Sequence, residues 1–188
     1  YVSDYGNHCL HILDMNGTYI RKIGSQGSEP GQFNNPYYFD IHDNMIFVAD
    51  CSNHRVQILT IDGTFVKQIG ITGQYGSGNN QLNCPFGVTV FENKIYISDY
   101  GNHRIQIFDI HCNYLQTIGS YGSGNNQFNG PYGVFIYDKL LYVADYINHR
   151  IQVLTLSGSH VRTIGTTGKS GNANGEFYCP TSIYIYKN

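Results

Sequence analysis

One pattern occurs four times in this chain, and it limits the fold more than any other feature of the sequence. The strings SDYGNHCLHILD (3–14), ADCSNHRVQILT (49–60), SDYGNHRIQIFD (98–109) and ADYINHRIQVLT (144–155) align without gaps. Their aspartates, Asp4, Asp50, Asp99 and Asp145, are spaced 46, 49 and 46 residues apart. A glycine follows each aspartate by 20 positions, at Gly24, Gly70, Gly119 and Gly165, and a second glycine comes three residues later. A proline then follows, at Pro36, Pro85, Pro131 and Pro180. Between the first glycine and the proline the chain runs 12, 15, 12 and 15 residues in turn, so all length variation falls in one loop. The alternation makes a larger unit of 95 residues, as a duplicated two-repeat segment would.

Each repeat reads as four short strands. In the copy that follows Pro131, the segments 132–137, 140–145, 150–155 and 160–165 are rich in β-branched and aromatic residues with partial alternation. Asp62-Gly63 and Ser157-Gly158 sit where a hairpin turn would join the third strand to the fourth. No segment carries a helical period. Four antiparallel strands recurring every ~47 residues predict an all-β fold, a β-propeller of four-stranded antiparallel blades.

The order proline-aromatic-Gly-Val, then IYISDYGNHRIQIFD, then TIGSYG and GNNQF, resembles the NHL-repeat family over essentially the whole chain. The resemblance implies propeller blades, which in this family usually number six. The first copy departs from the pattern at Cys9, where the others have arginine, and at Tyr38, where two others have glycine. Thr181-Ser182 replace aromatic-Gly after the fourth proline. We expect a single domain over 1–188, with repeats at about 1–35, 36–84, 85–130 and 131–179 and with 180–188 as a strand completing the first blade. Three assemblies fit: a ring closed by that strand, part of a six-bladed ring, or several chains completing a larger ring.

Composition narrows the function. Eleven basic against 13 acidic residues leave a net charge of −2, with no basic run longer than Arg21-Lys22. This disfavours nucleic acid and anionic membrane as partners. No apolar run is long enough to span a bilayer. Five cysteines without a CxxC pair indicate neither a disulfide framework nor a zinc knuckle, and suggest a reducing, cytoplasmic setting. The single sequon Asn16-Gly17-Thr18 points the other way.

In an up-and-down blade, the Asp-x-x-Asn-His-Arg turn and the glycine loop emerge on the same face, where a ligand is best sought. The turn motif recurs in every repeat, which suits a fastener: Asp and Asn bond local amides, and the arginine reaches carbonyls or a carboxylate. A metal ring of His8, His54, His103 and His149 is the sharper alternative. Cys84 and Cys179 share the slot before a proline but have no dedicated histidine. GSGNNQ (76–81 and 122–127) lacks the Lys-Ser/Thr and the helix of a phosphate loop. The aromatics are more suggestive. Tyr37, Phe86 and Tyr132 follow prolines, Tyr5, Tyr100 and Tyr146 follow the aspartates, and Arg55, Arg104 and Arg150 are the cations assigned to the same face.

We therefore expect a non-catalytic scaffold that binds a protein or peptide through this loop-rich face, with no catalytic residue, metal or cofactor. The resemblance implies two alternatives: a metal-dependent lyase or hydrolase sited in the channel, and a single-stranded RNA binder. It also implies that any ubiquitin-ligase activity would belong to another segment.

Overall fold

A computed structural model of the protein describes residues 1–186. The repeats fold as four antiparallel sheets. The first holds β1 (Val2–Asp4), β2 (Cys9–Leu13) and β3 (Tyr19–Ile23). The second holds β4 (Pro36–His42), β5 (Met45–Asp50), β6 (Arg55–Thr60) and β7 (Phe65–Gly70). The third holds β8 (Pro85–Phe91), β9 (Lys94–Asp99), β10 (Arg104–Asp109) and β11 (Tyr114–Ile118). A short parallel pair, β12 (Ser120–Tyr121) and β13 (Gln127–Phe128), closes the following glycine loop. The fourth sheet holds β14 (Pro131–Tyr137), β15 (Leu140–Asp145), β16 (Arg150–Thr155) and β17 (His160–Gly165). Strands in each sheet follow chain order, as in a propeller blade.

The cores lie between sheets. Leu10, Phe33, Val48 and Leu59 fill the space between the first and second sheets. Phe47, Leu82, Ile97 and Phe108 fill the second interface, and Tyr96, Phe128, Leu141 and Leu154 the third. The middle strands are covered on both faces, which is why Met45–Asp50 and Arg55–Thr60 read as nearly continuous apolar runs. The outermost strands are the more exposed and carry the charge, as in Val66-Lys67 and Val161-Arg162.

The proline opening each inner strand lacks an N–H for the ladder, and the register shifts right after it, between Pro36 and Phe39, Pro85 and Val88, and Pro131 and Val134. Gly87 lies where the inner strands crowd. A Cβ there would stand 2.5 Å from the Tyr132 carbonyl oxygen and 2.7 Å from Ser98 Oγ. Gly133 meets Thr181 in the same manner, its N–H donating to the Thr181 carbonyl at 2.9 Å. Thr181 thus stands to β14 as Tyr132 stands to β8.

The segment expected to complete the first blade is described up to residue 186. Among the described residues, β1 pairs only with β2, and no ladder reaches it from 180–186; residues 187 and 188 lie outside the described residues. Ile183 and Ile185 pack on Tyr142, Ala144 and Ile151 of the fourth sheet, as Val88 and Val90 of β8 pack on the second.

The cysteine reading needs one correction. Cys51 and Cys84 are joined in a disulfide, in place of two reduced thiols. Cys51 opens the turn of the second repeat, and Cys84 precedes Pro85. The backbone N–H of Cys84 donates to His54 Nδ1 at 3.1 Å, which holds that residue beside the turn. Spacing along the chain carried no hint of it.

Candidate ligand-binding face

The recurring turn is a fastener with a definite anatomy. Asp99 is fully buried and accepts from the Asn83 N–H (2.7 Å), Asn102 Nδ2 (2.8 Å) and Arg104 Nε (2.8 Å). The other guanidinium nitrogens of Arg104 donate to the carbonyls of Ser77, Gly78 and Gln81 in the preceding glycine loop. Asp50–Arg55 and Asp145–Arg150 repeat the arrangement, with Arg55 on Glu29 and Gln32 and Arg150 on Gly124 and Gln127. Each loop carbonyl left unpaired would cost roughly 1–3 kcal/mol. Burial pushes the carboxyls of Asp50 and Asp99 upward, and the donors around them pull the other way.

This corrects the reading of Arg55, Arg104 and Arg150 as cations on a ligand face. Their side chains are 1%, 11% and 2% exposed and already committed to carboxylate and carbonyls. The same network pins GSGNNQ: Gln81 and Gln127 accept from the N–H groups of Gly78 and Gly124, leaving the loops tied down by their own side chains.

The histidines are also occupied. His8, His54, His103 and His149 adopt left-handed backbone angles, φ 55 to 56°, which close the turn. Each presents Nδ1 to a backbone N–H one repeat further on: Asn35 (3.0 Å), Cys84 (3.1 Å), Gly130 (3.0 Å) and Cys179 (3.1 Å) respectively. An imidazole that accepts at Nδ1 is neutral, and burial lowers the pKa of His54 and His103 from the usual 6.5. The four rings staple successive repeats together, and among the described residues they do not gather within ligand reach of one another.

The aromatics come together. Tyr37 and Phe86 stand 4.2 Å apart between ring centroids, Phe86 and Tyr132 4.4 Å, and Phe86 and Tyr100 4.3 Å. Tyr5 extends the group through Tyr37 (4.7 Å), and Tyr146 extends it through Tyr132 (5.2 Å). All six singled out in the sequence belong to one cluster with Phe86 buried at its base. Beside it opens a groove of about 640 Å³ whose lining includes Tyr1, Tyr5, Tyr37, Tyr38, Phe39 and Tyr132, together with Val2, Ser3, Pro36 and Thr181. Burial raises the pKa of Tyr132 and Tyr100, the neighbouring Tyr37 raises that of Tyr5, and Cys179 raises that of Tyr146. The hydroxyls are therefore neutral hydrogen-bonding groups.

Sequence reasoning missed Tyr1 and Tyr38 as groove residues. Tyr38 had a signal: it occupies the slot that Gly87 and Gly133 keep empty for backbone contact. Its hydroxyl donates to the Thr181 carbonyl at 3.1 Å.

Comparison with known proteins agrees with this architecture. Residues 82–108, the span from Leu82 through most of β10, match the family model of the NHL repeat. The chain carries an NHL repeat. None of the curated proteins matches the sequence. Among solved structures, a protein of unknown function from Bacteroides thetaiotaomicron is similar at TM-score 0.70 and 16% identity, over 94% of this chain and 48% of that one. The nidogen/laminin complex gives TM-score 0.62 and 18% identity, over 86% and 57%. Virginiamycin B lyase from Staphylococcus aureus, catalytically inactive and with quinupristin, gives 0.59 and 13%, over 85% and 49%. The chain thus spans about half the length of these structures. At these identities the likeness is one of fold, and that fold serves a binding protein and a lyase alike.

Proposed function

We propose that the chain is one propeller domain of NHL repeats that acts as a non-catalytic scaffold and captures a protein or peptide segment in the aromatic groove. The observation that carries this reading is the groove itself: five tyrosines around one depression, with no carboxylate, imidazole or amine among the side chains of its described lining residues. Tyrosine gives large contact area at low entropic cost and a hydroxyl for peptide carbonyls. Such a lining suits an extended segment bearing proline or apolar side chains. The same lining supports a lyase less well, because general acid–base catalysis needs a group that titrates near the working pH. Single-stranded RNA would need cations beside the rings, and the three arginines of this face are buried in the turns.

Selection of a displayed random-peptide library on the folded protein tests the reading. Peptides enriched on the wild type should carry proline or apolar residues and fail to enrich on a Tyr5→Ser/Tyr37→Ser variant with the same melting temperature. Equal enrichment of the same sequences on both proteins would overturn the site assignment.

A further inference from the structure

The first repeat keeps the buried-type carboxylate and replaces both side chains that grip it elsewhere. In the second and fourth repeats an arginine and, two residues on, a glutamine reach the aspartate from the next strand: Arg55 and Gln57 on Asp50, Arg150 and Gln152 on Asp145. The first repeat has Cys9 and His11 in those two places, facing Asp4. Both changes exchange a hydrogen-bond donor for a metal-ligating side chain around one carboxylate. Alternation along β2 puts Cys9 and His11 on one face, and the ladder sets Cys9 directly opposite Asp4.

The atoms converge. Cys9 Sγ lies 3.5 Å from His11 Nε2, which lies 3.2 Å from Asp4 Oδ2, and all three donor atoms fall within 4.8 Å of one another. Tetrahedral zinc, with Zn–S of about 2.3 Å and Zn–N and Zn–O near ~2.1 Å, sets such donors roughly 3.3–3.6 Å apart. A nucleophile relay is excluded by the same contacts, because thiol and carboxylate meet one ring nitrogen, whereas a relay needs them on opposite nitrogens. Three such donors within 4.8 Å of one another are close enough to ligate one ion.

We propose that Asp4 Oδ2, Cys9 Sγ and His11 Nε2 bind one divalent ion of the zinc class, with the fourth position open to solvent. Thiolate and imidazole select zinc or cobalt over calcium and magnesium, which take oxygen. The Cys9 proton passes to solvent as the sulfur–metal bond forms. Cys9 is buried, while Asp4 and His11 keep 29% and 32% of their side chains exposed and give the ion its way in. Asn7, the motif asparagine, holds the carboxylate in place: its Nδ2 donates to Oδ2 at 2.8 Å and its N–H to Oδ1 at 3.1 Å.

Titration of the whole chain with cobalt(II), followed by zinc(II) displacement, tests this. The wild type should take up one equivalent and develop a thiolate-to-cobalt charge-transfer absorption that zinc abolishes. Cys9→Ser should lose that absorption, and His11→Gln should bind at least about tenfold more weakly. A Cys9→Arg/His11→Gln variant installs the pair used by the other repeats, so it should fold with an undiminished melting temperature and take up no stoichiometric metal. No saturable uptake by the wild type would overturn the proposal, as would an unchanged absorption in the double variant.

Discussion

Arg104 donates to one carboxylate and three loop carbonyls while little of its side chain reaches water. Removing either partner of such a pair strands the other, so Arg104→Ala or Asp99→Ala should cost about 3–5 kcal/mol in urea denaturation. Arg104→Lys should recover only part of it, since one ammonium cannot span the fork. A loss below 1 kcal/mol on the order of surface ion pairs would show that the turn is not a fastener. The stapling histidines give a pH dependence. Burial lowers the pKa of His54 and His103 in the folded protein, so the unfolded chain takes up protons more readily. Their contribution to stability is complete above the ordinary 6.5 and drains away as pH falls through that value toward the lower folded one. Melting temperature should therefore decline through that window, and more gently in a His54→Asn/His103→Asn variant, since asparagine tolerates the left-handed backbone. An identical decline in both proteins would rule the histidines out.

At the scale of strands, what matters is how closely the inner ones approach. Gly87→Ala would drive a methyl into the Tyr132 carbonyl and Ser98, and overpacking of this kind costs typically about 1–3 kcal/mol. Gly6→Ala, with nothing within 4 Å, should leave the melting temperature unchanged. Equal stability of both variants would contradict the crowding. The disulfide ties the turn of the second blade to the start of β8 across 33 residues of sequence. A Cys51→Ser/Cys84→Ser variant should lose about 3–4 kcal/mol on the chain-entropy account of such a loop. Thiol titration of the unfolded wild type should find Cys9, Cys112 and Cys179 free without reductant and all five cysteines with it.

Across the whole molecule, the strands were legible because the repeat averages out local ambiguity. Four copies of the same β-branched runs, punctuated by the same glycines and prolines, leave only one reading of where strands begin and end. The gathering of Tyr5, Tyr37, Phe86, Tyr100, Tyr132 and Tyr146 was legible for the same reason: equivalent positions in successive blades point toward a shared axis. Repetition hid what differs between copies. Arg104 was expected to reach carbonyls or a carboxylate and was also assigned to the ligand face; that both cannot hold shows only in the fold, because its loop carbonyls lie 23 to 27 residues upstream. Cys51 meets Cys84 only through the packing of one blade on the next. Tyr38 sits in a slot that two other repeats fill with glycine, and His11 in one that the other three fill with glutamine, so their roles emerge from departures and not from the motif.

With its arginines buried, the aromatic face should bind by contact area and hydroxyls, with little dependence on salt. The most direct test is calorimetric titration of a library-selected peptide into the wild type and into Tyr5→Ser/Tyr37→Ser, at low and high ionic strength. The account predicts binding at least about tenfold weaker in the variant, the loss of one or more well-placed aromatic contacts, and nearly equal wild-type affinity at both ionic strengths. Undiminished affinity in a folded variant, or binding that collapses with salt, would contradict it.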